Sequence, residues 1–166
     1  MKENIILIGM PGSGKSTVGV LLAKAVGYGF VDSDLVVQAR EGRLLSRIIA
    51  EEGVENFLRI EEKINSELCT DRCVIATGGS VIYGPKAMAH LKAIGRIVYL
   101  KLSYPELESR LSDLEGRGVA IKEGYTLKDL YDERVPLYEK YADVVAELDG
   151  KDITGALKTV LEALVS

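Results

Sequence analysis

A short glycine-rich segment, residues 9–17, has the residue types and spacing most closely tied to chemistry. It reads Gly-Met-Pro-Gly-Ser-Gly-Lys-Ser-Thr and matches G-x-x-x-x-G-K-[ST], the pattern of a phosphate-binding loop. The apolar residues 5–8 before it read as a buried strand, and the apolar positions after residue 17 read as a helix. This is the strand–loop–helix context that the motif needs. The alternative is a plain glycine-rich turn. This interpretation is weaker, because the full motif lies in its proper context.

The positions of this loop predict how it binds phosphate groups. Gly12 and Gly14 allow backbone angles that are closed to other residues, so successive N–H groups form a concave nest. The helix that begins near Lys15 adds the positive end of its dipole. Lys15 is expected to reach the β- and γ-phosphates of a nucleotide, and the Ser16 hydroxyl is expected to contact Mg²⁺. The predicted nucleotide-binding loop residues are Gly12, Ser13, Gly14, Lys15, Ser16 and Thr17.

Two carboxylates follow the second predicted strand, which begins at residues 30–31. Asp32 and Asp34 stand two residues apart at its end. Ligands of open parallel sheets collect at the carboxyl ends of the strands, so both acids are expected beside the phosphate loop. One can hold the hydration shell of a magnesium ion and the other can contact a hydroxyl acceptor. The alternative is a helix N-cap at Ser33 or Asp34.

A second glycine-rich turn follows the third predicted strand, residues 74–76. Gly78 and Gly79 stand between Thr77 and Ser80. Paired glycines let backbone N–H groups face a ligand without an intervening side chain. A plain tight turn is the alternative.

Residues 115–125 are predicted to form a loop that carries cationic side chains. The segment contains three glycines, with Arg117 and Lys122 between them. In phosphoryl-transfer enzymes such a loop can close over the triphosphate and exclude water. An ordinary surface loop is the alternative.

Composition and charge limit the kind of protein. A chain of 166 residues with 47% hydrophobic and 28% charged residues is expected to be one globular domain. A net charge of −4 without a basic run argues against a nucleic-acid or anionic-membrane surface. Cys69, Cys73 and the only histidine, His90, make no full metal site, so two reduced thiols are expected. Without a signal peptide or a membrane-spanning apolar stretch, we expect a cytoplasmic protein.

Strands and helices alternate along the chain, which predicts an α/β fold with a parallel sheet covered by helices on both faces. Between residues 35 and 68 the apolar spacing predicts helical segments with breaks at Gly42 and Gly53. The charges near Glu61 are expected on a solvated face. A further helix is expected from residue 103 to about 114, and one over 126–141 that Pro136 should kink or interrupt. Five strands are predicted, at residues 5–8, 30–31, 74–76, 97–100 and 143–146.

The ordered set of these motifs resembles the shikimate kinase family, within the nucleoside-monophosphate-kinase-like group of phosphate-loop proteins. The resemblance covers nearly the whole chain and is more specific than the phosphate loop alone, which many unrelated activities share. It rests on residues 9–17, 30–34, Gly53 with Phe57, Arg59, Ile60 and Glu61, and residues 77–79, 98–100 and 134–138.

The resemblance implies a fold and an activity. The fold is a three-layer, five-stranded parallel sheet in the order 2-3-1-4-5, within a single domain over residues 1–166. A substrate-binding helical region spans about 34–62 and a lid about 115–125. The implied activity is phosphoryl transfer from ATP, with Mg²⁺, to a ring hydroxyl of a small hydroxylated acid. Shikimate is the first acceptor to test, which implies a role in aromatic amino acid biosynthesis. A monomer is expected.

The resemblance also implies roles for acceptor-binding residues. Asp34 would hydrogen-bond the acceptor hydroxyl and take its proton. Gly78 and Gly79 would offer backbone N–H groups, and Arg134 would grip the substrate carboxylate. These roles supply the positioning and charge neutralisation that phosphoryl transfer requires.

On the nucleotide side, the implied roles fall to four residues. Asp32, with Ser16, would hold Mg²⁺ through its bound water. Arg117 would reach from the lid to the phosphates, and Arg110 would lie against the adenine. The expected catalytic residues are Lys15, Asp34 and Arg117.

Three departures from the family pattern fall on the acceptor half. Leu58 stands where the family has an arginine that helps bind the shikimate carboxylate. Arg59 is next door, but one helical residue is about 100° of rotation, so it is expected to face elsewhere. A buried carboxylate that loses one of two guanidinium partners should lose roughly 2–5 kcal/mol. Ser80 replaces the family's third glycine, and Gly118-Val119 follows Arg117 where the family has Pro-Leu-Leu.

Three other functions stay open at this stage. The chain could phosphorylate a different small hydroxylated acceptor, because lost polar contacts change specificity strongly. It could bind ATP as a regulatory or accessory protein with little transfer. It could be a nucleoside or nucleotide kinase, but no convincing aromatic pair for a base follows Asp34, and Phe57 is expected in the core.

Overall fold

The computed structural model describes residues 3–111 and 119–166. Its five strands form one parallel sheet in the order β2-β3-β1-β4-β5, which confirms the fold class and strand order predicted above. The strands are β1 (Asn4–Ile8), β2 (Gly29–Asp32), β3 (Cys73–Ala76), β4 (Gly95–Lys101) and β5 (Val144–Glu147).

Helices follow each of these strands and cover the sheet. In the described part of the chain they are α1 (Lys15–Val26), α2 (Ser33–Glu41), α3 (Leu45–Ser66), α4 (Pro85–Ile94), α5 (Tyr104–Arg110), α6 (Leu127–Tyr141) and α7 (Ile153–Val165). A 3₁₀ turn, Val81–Tyr83, lies between β3 and α4.

The phosphate loop begins at the centre of the sheet, because β1 pairs with a strand on each side. Ile6 is opposite Ile75 of β3 and opposite Ile97 of β4. These three side chains are fully buried, as expected for a strand covered on both faces. The carboxyl ends of β1, β2 and β3 therefore meet at one edge of the sheet, where the motifs lie.

A small second core lies under the helical region after Asp34. Gly53 interrupts α3 with φ 84° and ψ 167°, so α3 bends at the predicted break. Phe57, just beyond the bend, is 2% exposed and lies in the core as predicted. The buried members of this cluster are Val37, Leu45, Ile48, Phe57, Ile64 and Ala120.

Two helix predictions are wrong in detail. Helix α5 ends at Arg110 because Leu111 is extended, with φ −112° and ψ 105°, so the predicted helix does not continue through this residue. The rest of that predicted extension lies outside the described residues. Helix α6 continues through Pro136, so the predicted interruption is wrong, whereas the predicted kink stays a prediction. Buried Arg134 and Tyr138 hold α6 on both sides of the proline.

The cysteines and the histidine lie outside the site. Cys69 and Cys73 are free thiols, as predicted. His90 Nε2 lies 2.6 Å from the Leu68 carbonyl oxygen, a packing contact between α4 and the chain after α3. No helix in the described residues combines the length and apolarity needed to cross a membrane.

Candidate active site

The phosphate loop leaves the N-terminus of α1 open. Gly12 and Gly14 have φ angles of 82° and 93°, in the left-handed region that favours glycine. Gly14 is the N-cap of α1, and no side chain caps that end of the helix. The first backbone N–H groups of α1 therefore face the loop without an intramolecular acceptor from a capping side chain, which suits an anionic phosphate.

Lys15 is held inside the loop by its backbone. The ammonium group donates to the carbonyl oxygens of Gly9 at 2.6 Å and Met10 at 2.9 Å. The residue is 8% exposed, and burial lowers the pKa of Lys15 to about 8, an effect that the Asp34 carboxylate opposes. A bound polyphosphate would add negative charge and favour the protonated ammonium group.

Ser16 and Asp32 form a pair of oxygen donors beside the loop. The Ser16 hydroxyl donates to Asp32 Oδ2 at 2.9 Å. Mg²⁺ prefers oxygen ligands, keeps several waters, and usually takes one or two carboxylates with substrate phosphates. In residues 3–111 and 119–166 no group of three or more His, Cys, Asp or Glu side chains could hold a metal ion alone. The Ser16–Asp32 pair therefore suits a Mg²⁺ ion that takes its other ligands from water and the phosphates of a nucleotide.

Asp32 also caps the N-terminus of helix α2. It can therefore serve both as a helix cap and as a residue beside the phosphate loop. Its Oδ1 accepts a hydrogen bond from the Asp34 backbone N–H at 3.0 Å, which makes Asp32 the N-cap. The alternative caps, Ser33 and Asp34, are therefore wrong. Burial raises the pKa of Asp34 to about 6, the neighbouring Asp32 adds to the increase, and Lys15 opposes it.

One cavity of about 420 Å³ joins the predicted nucleotide and acceptor residues. Lys15, Ser16 and Asp34 line it together with Gly78 and Gly79. The phosphate loop, Asp34 and the turn after β3 therefore line a single cleft.

A neighbouring cavity of about 460 Å³ extends the cleft from the phosphate loop toward α7. Ser13, Gly14, Thr17 and Arg110 line its near side. Leu148 and residues 151–154, which follow β5, line its far side. The contribution of these residues was not predicted from the sequence. They follow the carboxyl end of a parallel strand, a position where ligands commonly bind. The cavity has room for the base and ribose of a nucleotide.

The Gly78–Gly79 turn packs against charged side chains so closely that a Cβ atom would not fit. A Cβ at Gly78 would lie 2.5 Å from Asp34 Oδ1, and one at Gly79 would lie 2.9 Å from Arg134 Nη1. A Cβ at Gly78 would displace Asp34 or Glu61, and one at Gly79 would displace Arg134 or Pro11. The turn brings backbone next to Asp34 and Arg134, the two side chains predicted to bind the acceptor.

Arg134 is fully buried beside this turn. Its Nη2 donates to the Ala120 carbonyl oxygen at 2.7 Å, and its guanidinium carbon lies 5.4 Å from the centre of the Tyr83 ring. Its Nε has no hydrogen-bond partner among the described residues. The adjoining cavity, lined by Asp34, Gly79 and Arg134, is about 50 Å³.

Glu61 contradicts the expectation of a solvated face. It is 2% exposed and accepts a hydrogen bond from the Ser80 hydroxyl at 2.7 Å. Burial raises the pKa of Glu61 to about 7. The helical spacing of Phe57, Glu61 and Ile64 on the buried side of α3 was the signal that could have placed it.

This burial makes a prediction for stability. The pKa of Glu61 is raised on folding, so the folded state binds its proton more tightly and loses stability as pH rises through about 4.5 to about 7. Glu61→Gln is expected to raise the free energy of unfolding by roughly 2–3 kcal/mol above pH 8 and to leave it nearly unchanged near pH 4. Urea unfolding at several pH values measures this. Glu55→Gln, exposed on the same helix, is the control; equal pH profiles for wild type and Glu61→Gln would contradict the prediction.

Two tyrosines that were not predicted from the sequence stabilise the Gly78–Gly79 turn, Tyr138 by direct contact and Tyr99 by packing on Tyr138. The Tyr138 hydroxyl donates to the Gly79 carbonyl oxygen at 2.6 Å. Its ring stacks on Tyr99 of β4 with centroids 5.1 Å apart. Helix α6 therefore fixes the turn through Tyr138 and places Arg134 one helical turn earlier.

The remaining predicted residues lie in different places. Arg110 lines both large cavities and pairs with Glu106 at 3.1 Å. Arg117 lies outside the described residues. Arg59 is exposed and donates to Asn56, so it faces elsewhere as predicted. Leu58 lines a separate cavity of about 220 Å³ rather than the small cavity at Arg134.

Fold and site together define a phosphate-loop enzyme of α/β class. A shikimate kinase family model matches residues 11–165. A curated shikimate kinase of Pseudomonas paraeruginosa is 40% identical over 97% of this chain and 95% of its own length. The chain belongs to the shikimate kinase family.

Solved structures agree with this assignment. Shikimate kinase from Acinetobacter baumannii, determined in complex with shikimate, has a TM-score of 0.89 and 30% identity, covering 99% of this chain and 94% of its own. Shikimate kinase from Aquifex aeolicus has a TM-score of 0.82 and 31% identity, covering 98% of this chain and 96% of its own.

Proposed function

We propose that this protein transfers the γ-phosphoryl group of ATP to a ring hydroxyl of shikimate, giving shikimate 3-phosphate. The observation that carries the proposal is the single cleft in which Lys15 and Asp34 line the same cavity. Phosphoryl transfer needs the two substrates held in line and their negative charge neutralised, and both requirements are met by groups on opposite sides of this cleft.

On the donor side, the backbone N–H groups at the start of α1 and the Lys15 ammonium group would hold the phosphates. Ser16 and Asp32 would hold Mg²⁺, which neutralises charge on the phosphate oxygens. The nucleotide base would occupy the cavity of about 460 Å³ against Arg110. Arg117 is proposed to reach the phosphates from the lid.

On the acceptor side, Asp34 would accept the hydrogen bond of the reacting hydroxyl and take its proton. A raised pKa makes Asp34 a stronger base than an exposed aspartate. Arg134 would bind the substrate carboxylate, because its Nε has no partner among the described residues and keeps donor capacity for a ligand. Gly78 and Gly79 would offer backbone N–H groups.

An ADP-release screen tests this function. The purified protein receives ATP, Mg²⁺ and, separately, shikimate, quinate, homoserine, gluconate or a nucleoside. We expect saturable ADP release with shikimate and little with the others. Silence with shikimate and turnover with another acceptor would contradict the proposed substrate. Tight ATP binding without acceptor-dependent release would support an accessory nucleotide-binding protein instead.

A different small hydroxylated acceptor is the second candidate, and Leu58 favours it. Leu58 lines a different cavity, and Arg134 is the one arginine among the described residues that line the small acceptor cavity. A nucleoside acceptor is disfavoured because the small acceptor cavity is about 50 Å³ and Phe57 is the one aromatic residue that lines it among the described residues. Action as a cytoplasmic monomer without nucleic-acid or membrane partners stays a prediction from the sequence.

A further inference from the structure

The acceptor cavity contains a buried carboxyl group, Glu61, that the proposed reaction does not use. Its Oε1 accepts the Ser80 hydroxyl hydrogen bond, and both residues line the small cavity with Asp34. No ion pair to Glu61 occurs among the described residues. A buried carboxyl group held by one neutral donor has acceptor capacity left for a ligand.

The second oxygen of Glu61 lies beside the predicted base. The position of a Cβ at Gly78 would be 2.8 Å from Glu61 Oε2 and 2.5 Å from Asp34 Oδ1. The two carboxyl oxygens therefore lie close together beside Gly78, in the lining of the small cavity. A ring whose reacting hydroxyl meets Asp34 would present its neighbouring hydroxyl to Glu61.

We propose that Ser80 is a positioning residue, which orients the ionised Glu61 carboxylate to bind the acceptor hydroxyl adjacent to the one that is phosphorylated. This inference rests on the proposed function and narrows its substrate class to acids with vicinal hydroxyls. Ser80 acts through Glu61. Its hydroxyl fills one acceptor site of Oε1 and leaves Oε2 for the ligand.

The charges around Glu61 explain why a donor is needed there. Burial and the Asp34 carboxylate raise its pKa, whereas the Ser80 hydrogen bond, Arg134 and Lys15 lower it. Tyr138 also lies in its electrostatic environment. Removal of the Ser80 hydroxyl therefore favours protonated Glu61, which accepts a hydrogen bond less strongly. We therefore expect acceptor affinity to rise with pH, with the midpoint of the rise near pH 7 in the wild type. Without the Ser80 hydroxyl, this midpoint should move to higher pH.

Calorimetric titration of shikimate, with a non-hydrolysable ATP analogue and Mg²⁺ present, tests this in the full-length protein. Ser80→Ala is expected to weaken shikimate binding about tenfold at pH 7, with the difference shrinking toward pH 9 and nucleotide affinity unchanged. Glu61→Gln, expected to be stably folded, should remove the step near pH 7 in the pH dependence of shikimate affinity and leave the steps that Asp34 gives near pH 6 and Lys15 near pH 8. An equal loss at every pH for Ser80→Ala would indicate a merely structural role and overturn the inference.

A shikimate analogue that lacks the neighbouring hydroxyl supplies the second arm. It should bind the wild type about tenfold more weakly than shikimate, and Glu61→Gln should discriminate between the two compounds less than the wild type does, because a neutral amide oxygen is a weaker acceptor than a carboxylate. Unchanged discrimination in Glu61→Gln would overturn the inference while leaving the proposed function intact. Failure of wild-type protein to bind shikimate at all would instead overturn the proposed function together with the inference.

Discussion

Lys15→Met is expected to abolish measurable phosphoryl transfer, with kcat lowered by about three orders of magnitude or more. The ammonium group is buried and fixed by two loop carbonyl groups, so it is positioned before the nucleotide arrives. Methionine has similar length and no charge. It removes the cation that would neutralise charge on the transferred group. Acceptor-dependent ADP release at saturating substrates measures the loss.

Folding should survive this change, because Lys15 is charged in a buried site where the pKa is lowered to about 8. Relief from burying the charge offsets the loss of the two hydrogen bonds to Gly9 and Met10, so the midpoint of thermal unfolding should change little. Lys24→Met, exposed in the last turn of the same helix, is the matched control. A Lys15→Met enzyme with kcat within tenfold of that control would refute the assigned role.

Asp34→Asn is expected to lower kcat by about 10²–10⁴-fold, the range usual for removal of a general base. The amide keeps the size of the carboxylate but cannot take a proton. The new amide group would also face Gly78, where the Asp34 carboxylate oxygen makes the closest approach to the turn. Single-turnover experiments, which separate chemistry from product release, measure the effect.

The free energy of unfolding of Asp34→Asn shows whether a loss of activity comes from loss of the fold. Because the pKa of Asp34 is raised to about 6, ionised Asp34 destabilises the fold above that pH, and asparagine should relieve this cost. Asp71→Asn, exposed before the amino end of β3, should behave as wild type in both assays. Undiminished single-turnover transfer by a folded Asp34→Asn protein would show that another group takes the proton.

The elements nearest the phosphate loop could be predicted because their signals are local. Residues 9–17 specify backbone geometry through glycines and a helix start, and both are encoded within one short segment. Asp32 ends β2 and Asp34 follows it, and the carboxyl ends of parallel strands lie at the same edge of the sheet as the loop. The cleft therefore follows from chain order and sheet topology.

The partners of Glu61 and Gly79 could not be predicted in the same way, because they depend on contacts between distant segments. Ser80 meets Glu61 across 19 residues of sequence, and Tyr138 meets Gly79 across 59. Charge alone suggested that Glu61 was solvated, whereas packing of α3 against the turn buries it. Leu111 similarly ended α5 early. The role of Arg117 stays a prediction.

Transfer of label from γ-labelled ATP tests most directly whether the phosphate loop and Asp34 serve one reaction. Wild-type protein with Mg²⁺ and shikimate should yield labelled shikimate phosphate in a single turnover. Asp34→Asn should bind both substrates and transfer almost no label in the same time. Labelled inorganic phosphate in place of labelled shikimate phosphate from the wild type would contradict the account, because water rather than the acceptor would then occupy the cleft.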